Sequence, residues 1–178
     1  CGVGVSSSTF TFTTVPLPGD CPIGDTVVQS FSEGFEVGPP PGWTISGTGN
    51  SWSQSAARFH GGAFSLLAVD TTTATEAVLV SPQVLLPTGH ALVTLQYWTD
   101  QPMEDRTGGC YDGGVLEVSA NGGATWSQVP AAKMLTDPYE GLIQGTGNVL
   151  NGLPGWCGDP QPWLESVVDL GGYEGQYV

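Results

Sequence analysis

The stretch Leu92–Thr99, LVTLQYWT, lies near the centre of the chain and alternates its side chains between two sets. One set comprises Val93, Leu95 and Tyr97, and the other comprises Leu92, Thr94, Gln96 and Trp98. Because successive side chains of a strand point to opposite faces of a sheet, each set lies on one face of an extended segment. The pattern therefore predicts a central β-strand.

Similar short segments recur on both sides of this strand and are separated by turn-forming residues. They are Thr26–Glu36, Trp43–Ser46, Ser51–Gln54, Phe64–Val69, Ala77–Val80, Gly114–Ser119 and Thr125–Val129. Trp163–Leu170 fits either a short helix or a strand. Asn121-Gly122-Gly123 is a strong hairpin signal, since Asn-Gly accepts the positive φ of a tight turn. With 27 Gly and 14 Pro among 178 residues, helices are disfavoured, and an all-β fold is expected.

The first 25 residues differ from the remainder, so we predict a leader over 1–25 and a β-domain over 26–178. Within the leader, Thr9–Val15 alternates strictly and predicts one extended N-terminal strand. Phe10 and Phe12 fall on one face of that strand. An isolated strand is unstable alone, so Phe10, Phe12 and Val15 are candidate donor-strand residues that would pair with this domain or with another molecule.

The charge of the chain excludes several classes of partner. Three basic residues face seventeen acidic ones, for a formal net charge of −14. Arg58, Arg106 and Lys133 are too few to neutralise a phosphate backbone, so nucleic-acid binding is not expected. No apolar run is long enough for a membrane span, so membrane insertion is not expected either. Unpaired carboxylates of this number suit solvent or a hard cation such as Ca²⁺.

Four cysteines in a chain rich in Gly, Ser and Thr favour an oxidising, extracellular location. Three pairings are possible, and local context favours Cys110–Cys157 with Cys1–Cys21. Cys110–Cys157 would staple the long Gly- and Pro-rich loop Met134–Pro162. An alternative for Cys1 is lipid attachment, which would leave Cys21 without a partner.

A family resemblance appears along roughly residues 30–178. The segments that carry it are Phe35-Glu36, Gly42-Trp43, Trp52, His60–Leu66, Leu79–Pro82, Leu95–Trp98, Tyr111–Ser119, Asn121–Trp126 and Val168–Val178. In order and spacing they resemble the MAM-like domains, most of all those of secreted bacterial peptidases of the immune-inhibitor-A type. The resemblance implies an antiparallel jelly-roll β-sandwich. The chain stops before the strands that close the family's jelly roll, so a sandwich lacking its last strands is expected.

The same resemblance implies a structural cation site. Family members often hold Ca²⁺ near the Phe-Glu motif, which makes Glu36 the first candidate ligand here. Asp70, after the Phe64–Val69 segment, and Asp112, in Tyr-Asp-Gly-Gly, are further candidates. Oxygen ligands from several loops match the preference of Ca²⁺, so we expect calcium as a structural cofactor.

Aromatic residues are a second candidate ligand surface, because flat rings stack on the apolar faces of sugars. The candidates are Trp98, Tyr111, Tyr139, Trp156 and Trp163. Trp156 and Trp163, in or beside the irregular loop, are the expected exposed pair. Trp43, Trp52 and Trp126 are assigned to the core.

Catalysis is not expected. The chain has no Gly-x-Ser-x-Gly, no His-Glu-x-x-His and no phosphate-binding loop, and its two histidines lie far apart. We therefore predict a non-catalytic module, secreted or on the cell surface, for adhesion or recognition. One alternative is a structural subunit of an extracellular filament assembled by donor-strand exchange, and another is a glycan-binding module. The expected partners are other copies of the chain, other surface proteins or glycans.

Overall fold

The computed structural model describes residues 17–18, 20–22, 24–38, 40–49, 52–69, 71–158 and 162–178. These contain one short 3₁₀ turn, Ala131–Lys133, and twelve strands. The strands are β1 Thr44–Thr48, β2 Ser53–Ser55, β3 Ser65–Leu67, β4 Glu76–Val80, β5 Thr94–Thr99, β6 Asp105–Arg106, β7 Gly109–Cys110, β8 Glu117–Val118, β9 Ser127–Gln128, β10 Gly141–Leu142, β11 Pro154–Gly155 and β12 Leu164–Asp169. The prediction of an all-β chain is confirmed. Among the described residues, no helix is long and apolar enough to cross a membrane.

The longest strand pair is β5 with β12, which run antiparallel with Thr94 opposite Asp169 and Thr99 opposite Leu164. The predicted central strand is therefore confirmed, and Trp163–Leu170 forms a strand rather than a helix. On the other side of β12, Met134 bridges Val168, and the Leu135 N–H donates to the Val167 carbonyl at 2.7 Å. β12 is thus hydrogen-bonded along both edges.

The hydrophobic core lies on one side of this pair. Its buried members are Leu86, Val93, Val129, Met134, Trp156, Val168 and Leu170. Leu95 and Tyr97 of β5 pack against it, while Leu92 and Trp98 on the opposite face remain exposed. The alternation in the sequence thus separates a core face from a solvent face.

The predicted hairpin is confirmed between β8 and β9, which pair antiparallel. Gly122 and Gly123 both adopt positive φ, at 71° and 83°. Such a turn requires residues without a Cβ clash, which explains the two glycines after Asn121. The Ser119 hydroxyl closes the turn by accepting the Gly123 N–H at 2.9 Å. The strands are shorter than the predicted segments Gly114–Ser119 and Thr125–Val129.

Hydrogen bonds join the remaining short strands of the C-terminal half into a ribbon. β6 pairs with β7, and β10 pairs with β11, both antiparallel. The Gln144 N–H donates to the Cys110 carbonyl at 2.8 Å, which links the two pairs. Gly114 and Trp156 exchange two hydrogen bonds of 2.9 Å and connect the ribbon to the segment that leads into β8.

The N-terminal half holds the pairs β1–β4 and β2–β3. The predicted strand Thr26–Glu36 is wrong, because this segment forms no strand. Phe35 breaks it by adopting a φ of 58°, and its N–H donates to Glu33 Oε1 at 2.6 Å. Phe35 packs edge-on against Trp43 with ring centroids 5.1 Å apart, so its side chain contacts another aromatic ring and does not lie on the face of a sheet.

The predicted leader strand Thr9–Val15 lies outside the described residues. The donor-strand residues Phe10, Phe12 and Val15 therefore stay predictions, as does the boundary between 1–25 and 26–178. The strands observed are all paired in small antiparallel sheets. The order of strands in a jelly-roll sandwich remains a prediction of the resemblance.

Candidate binding surface

Three aromatic side chains meet on the solvent side of β5 and β12. The imidazole of His60 stacks on the indole of Trp98 with ring centroids 3.7 Å apart and planes 8° from parallel. Trp163, directly before β12, lies 6.1 Å from His60 and is tilted by 59°. Trp98 is 43% exposed in spite of this stacking. We call His60, Trp98 and Trp163 the aromatic surface.

Glu165 lies beside the aromatic surface because of the strand register. It stands directly opposite Trp98 in the β12–β5 pair. Directly opposed residues of an antiparallel pair project from the same face of the sheet, with their Cβ atoms about 5 Å apart. Glu165 is exposed, whereas the next residue, Ser166, is fully buried on the core side. A carboxylate and an indole therefore share this part of the solvent face.

The turn that carries His60 is fixed to β5 by an ion pair. Arg58 Nε lies 2.6 Å from Asp100 Oδ2, one residue beyond the end of β5. The Ser65 hydroxyl donates to the Arg58 carbonyl at 2.7 Å and ties the start of the turn to β3. These contacts hold the imidazole over Trp98 and make the stack part of the folded framework.

Glu36 fixes the other end of the same turn. Its carboxylate accepts the Ala63 N–H at 3.0 Å and the Phe64 N–H at 3.2 Å. Gly62, at φ 72°, approaches this carboxylate so closely that a Cβ there would collide with it. The second glycine of His-Gly-Gly is thus explained by a turn wrapped around one acidic side chain.

The predicted calcium ligands are only partly described. Glu36 is engaged by backbone N–H groups, and Asp70 lies outside the described residues. Within the ranges that the structure describes, no three His, Cys, Asp or Glu side chains are grouped to hold a metal ion, and Asp112 joins no such group with Glu36. Calcium binding stays a prediction.

We expect Glu36→Ala to lower the free energy of unfolding by about 1–2 kcal/mol, because the N–H groups of Ala63 and Phe64 lose their acceptor. Thermal melts monitored by circular dichroism, with Glu104→Ala as a control for charge removal, measure this loss. Melts in calcium and in EDTA also test the calcium prediction. Stabilisation by calcium that disappears in Glu36→Ala would support a metal at this residue, and a melt equal to that of the wild type would contradict the role of Glu36 in the turn.

Comparisons with known proteins found no match. Neither protein-family models, nor curated proteins, nor solved structures match the chain. The resemblance to MAM-like domains therefore stays a prediction.

Trp156 is not part of an exposed platform, so that prediction is wrong. The side chain is 5% exposed and packs edge-on against Tyr139 at 4.7 Å. Its indole N–H donates to the Asp137 carbonyl at 2.8 Å. An irregular loop buries this tryptophan because both its apolar area and its polar atom find partners there. Conversely, Trp126, which was assigned to the core, is 41% exposed.

The predicted disulfide Cys110–Cys157 is confirmed. Both cysteines are buried, and the bond joins β7 to the residue after Trp156. Cys21 is exposed and has no disulfide partner among the residues that the structure describes. Cys1 lies outside them, so the pairing Cys1–Cys21 stays a prediction.

A buried polar network beneath β5 and β12 was not found from the sequence. The Asp137 carboxylate accepts the Ser166 hydroxyl at 2.6 Å and the Gln101 amide at 3.1 Å. Asp137 also adopts a φ of 50°, which is uncommon outside glycine. The pKa of the neighbouring Tyr97 hydroxyl is raised, and burial of the group is the largest cause. The Asp137-Pro138 dipeptide, a common turn signal, was the available clue.

Proposed function

We propose that this protein is a non-catalytic recognition module of the extracellular space that binds glycans through the aromatic surface. The disulfide and the acidic composition support a secreted or cell-surface location. Its partners are then polysaccharides or the glycans of other surface proteins.

The observation that carries this proposal is the exposure of Trp98 within a rigid stack. His60 covers one face of this indole, and the rest of the side chain, 43% exposed, meets solvent on the outer face of a regular strand pair. Sugar rings have apolar faces of matching shape, and aromatic rings contribute most when their position is fixed before binding. His60 and the ion pair between Arg58 and Asp100 supply that fixation.

The charged groups beside the surface support binding rather than hydrolysis. Glycosidases require two carboxyl groups on either side of the scissile bond. Here Asp100 is engaged with Arg58, and Glu165 is the carboxylate that stands opposite Trp98 in the strand register. A carboxylate in this position suits a hydrogen bond to a sugar hydroxyl.

We expect Trp98→Ala to weaken binding to a polysaccharide by up to about tenfold, since a lost aromatic stack is worth up to roughly 1.5 kcal/mol. Isothermal titration and tryptophan fluorescence against a panel of soluble polysaccharides measure the effect. Trp126→Ala is the matched control. Trp126 is exposed to nearly the same extent as Trp98, but it directly precedes β9 in the β8–β9 hairpin. Equal losses in both variants, or no binding by the wild type, would contradict the proposal.

A further inference from the structure

We infer that the aromatic surface selects uncharged sugar chains against carboxylated ones, and that Glu165 is the residue that determines this choice. The inference rests on the proposed function, because it concerns the ligand of the same surface. It is argued from the carboxylate opposite Trp98 and from the partners of the three basic residues in the chain.

The position of Glu165 is fixed by its strand. It lies opposite Trp98 in the register, and its carbonyl accepts the Thr136 hydroxyl at 2.6 Å. On the core side of the same strand, Ser166 and Val168 are fully buried. The backbone around Glu165 is therefore held on both edges, and its exposed carboxylate stays close to any ring stacked on Trp98.

Each basic residue that could attract an anionic ligand has a partner within the chain. Arg58 pairs with Asp100 at 2.6 Å, and Lys133 pairs with Asp169 at 2.7 Å. The Arg106 guanidinium lies 4.9 Å from the ring centre of Tyr111, and its Nη1 donates to the Gln144 carbonyl. The chain has only these three. A carboxylated sugar would meet the negative charge of Glu165, while the charge of Arg58, in the turn that carries His60, is already offset by Asp100.

An uncharged sugar is attracted to Glu165 where a carboxylated sugar is repelled. Its hydroxyl groups donate to the carboxylate, and hydrogen bonds to an ionised acceptor are among the stronger ones in proteins. The apolar face of the ring stacks on Trp98 at the same time. The same Glu165 therefore favours one class of sugar chain and disfavours the other, and this effect decreases with salt because the group is exposed.

Three pairs of polysaccharides, each built on one kind of hexose, test the inference. They are hydroxyethyl cellulose with carboxymethyl cellulose, mannan with polymannuronate, and galactan with polygalacturonate. Titrations at low ionic strength and about pH 8 compare wild type, Trp98→Ala, Glu165→Gln and, as a control, Glu117→Gln. Glu117 is also exposed but lies on β8.

We expect the wild type to bind the uncharged member of at least one pair about tenfold or more tightly than the carboxylated member. Glu165→Gln narrows that ratio to less than about threefold, and Glu117→Gln leaves it unchanged. Equal binding of both members in a Trp98-dependent manner, or an unchanged ratio in Glu165→Gln, overturns the inference and leaves the proposed function standing. Absence of binding to all six polymers overturns both. Circular dichroism confirms that each variant is folded.

Discussion

Replacement of Trp156 by alanine is expected to lower the free energy of unfolding by about 3–5 kcal/mol, the usual range for a buried tryptophan. The indole is part of the core cluster with Val129 and Val168 and packs edge-on against Tyr139. Its loss leaves a cavity, and the Asp137 carbonyl loses its hydrogen-bond donor. Since Trp156 also pairs with Gly114 through the backbone, the cavity opens where the ribbon meets the core.

Urea denaturation measured by circular dichroism tests this expectation. Trp156→Phe keeps an aromatic ring but removes the N–H, so it should lose about half as much or less, near 1–2 kcal/mol. Trp126→Ala is the control for an exposed tryptophan and should change stability by about 0.5 kcal/mol or less. A Trp156→Ala protein as stable as the wild type would show that the loop does not contribute to the core.

Loss of the disulfide is expected to have a similarly large effect. The double variant Cys110→Ala/Cys157→Ala should lose about 4 kcal/mol, because the bond spans 47 residues and restricts the unfolded chain. Both cysteines are buried, so alanine introduces no unpaired polar group at either position. A marginally stable domain would then be largely unfolded at 37 °C.

The measurement compares urea midpoints of the double variant with those of the wild type before and after reduction. Cys21→Ala is the control that measures separately any contribution of the predicted pair Cys1–Cys21. Reduction should destabilise the wild type and Cys21→Ala but not the double variant. If reduction left the wild type unaffected, the contribution assigned to this bond would be refuted.

The sequence was most informative where local rules govern the structure. The alternation over Leu92–Thr99 predicted β5, and Asn121 followed by two glycines predicted the β8–β9 hairpin. Both signals depend on residues that are close together in the chain. Alternating side chains mark a strand, and residues that accept a positive φ mark a tight turn. The pairing of Cys110 with Cys157 also followed from their local surroundings.

The candidate surface depends on contacts between distant residues and was therefore only partly predictable. His60 and Trp98 are far apart in sequence, and no pattern in either segment indicates that their rings stack. Thr26–Glu36 has the composition of a strand, but Phe35 adopts a positive φ and packs on Trp43, a contact with a residue outside the segment. Trp156 lies in a loop without periodicity, where burial cannot be inferred from the neighbouring residues.

The engagement of all three basic side chains also affects how long the protein would survive among secreted proteases. Trypsin-like enzymes cut after Lys or Arg and need several residues of extended backbone around the cut. Arg58 is held by Asp100, and Lys133 is held by Asp169. Arg106 is held by the Tyr111 ring and by the Gln144 carbonyl. Lys133 also lies between the two bonded cysteines, so a cut at that residue would leave both pieces covalently joined.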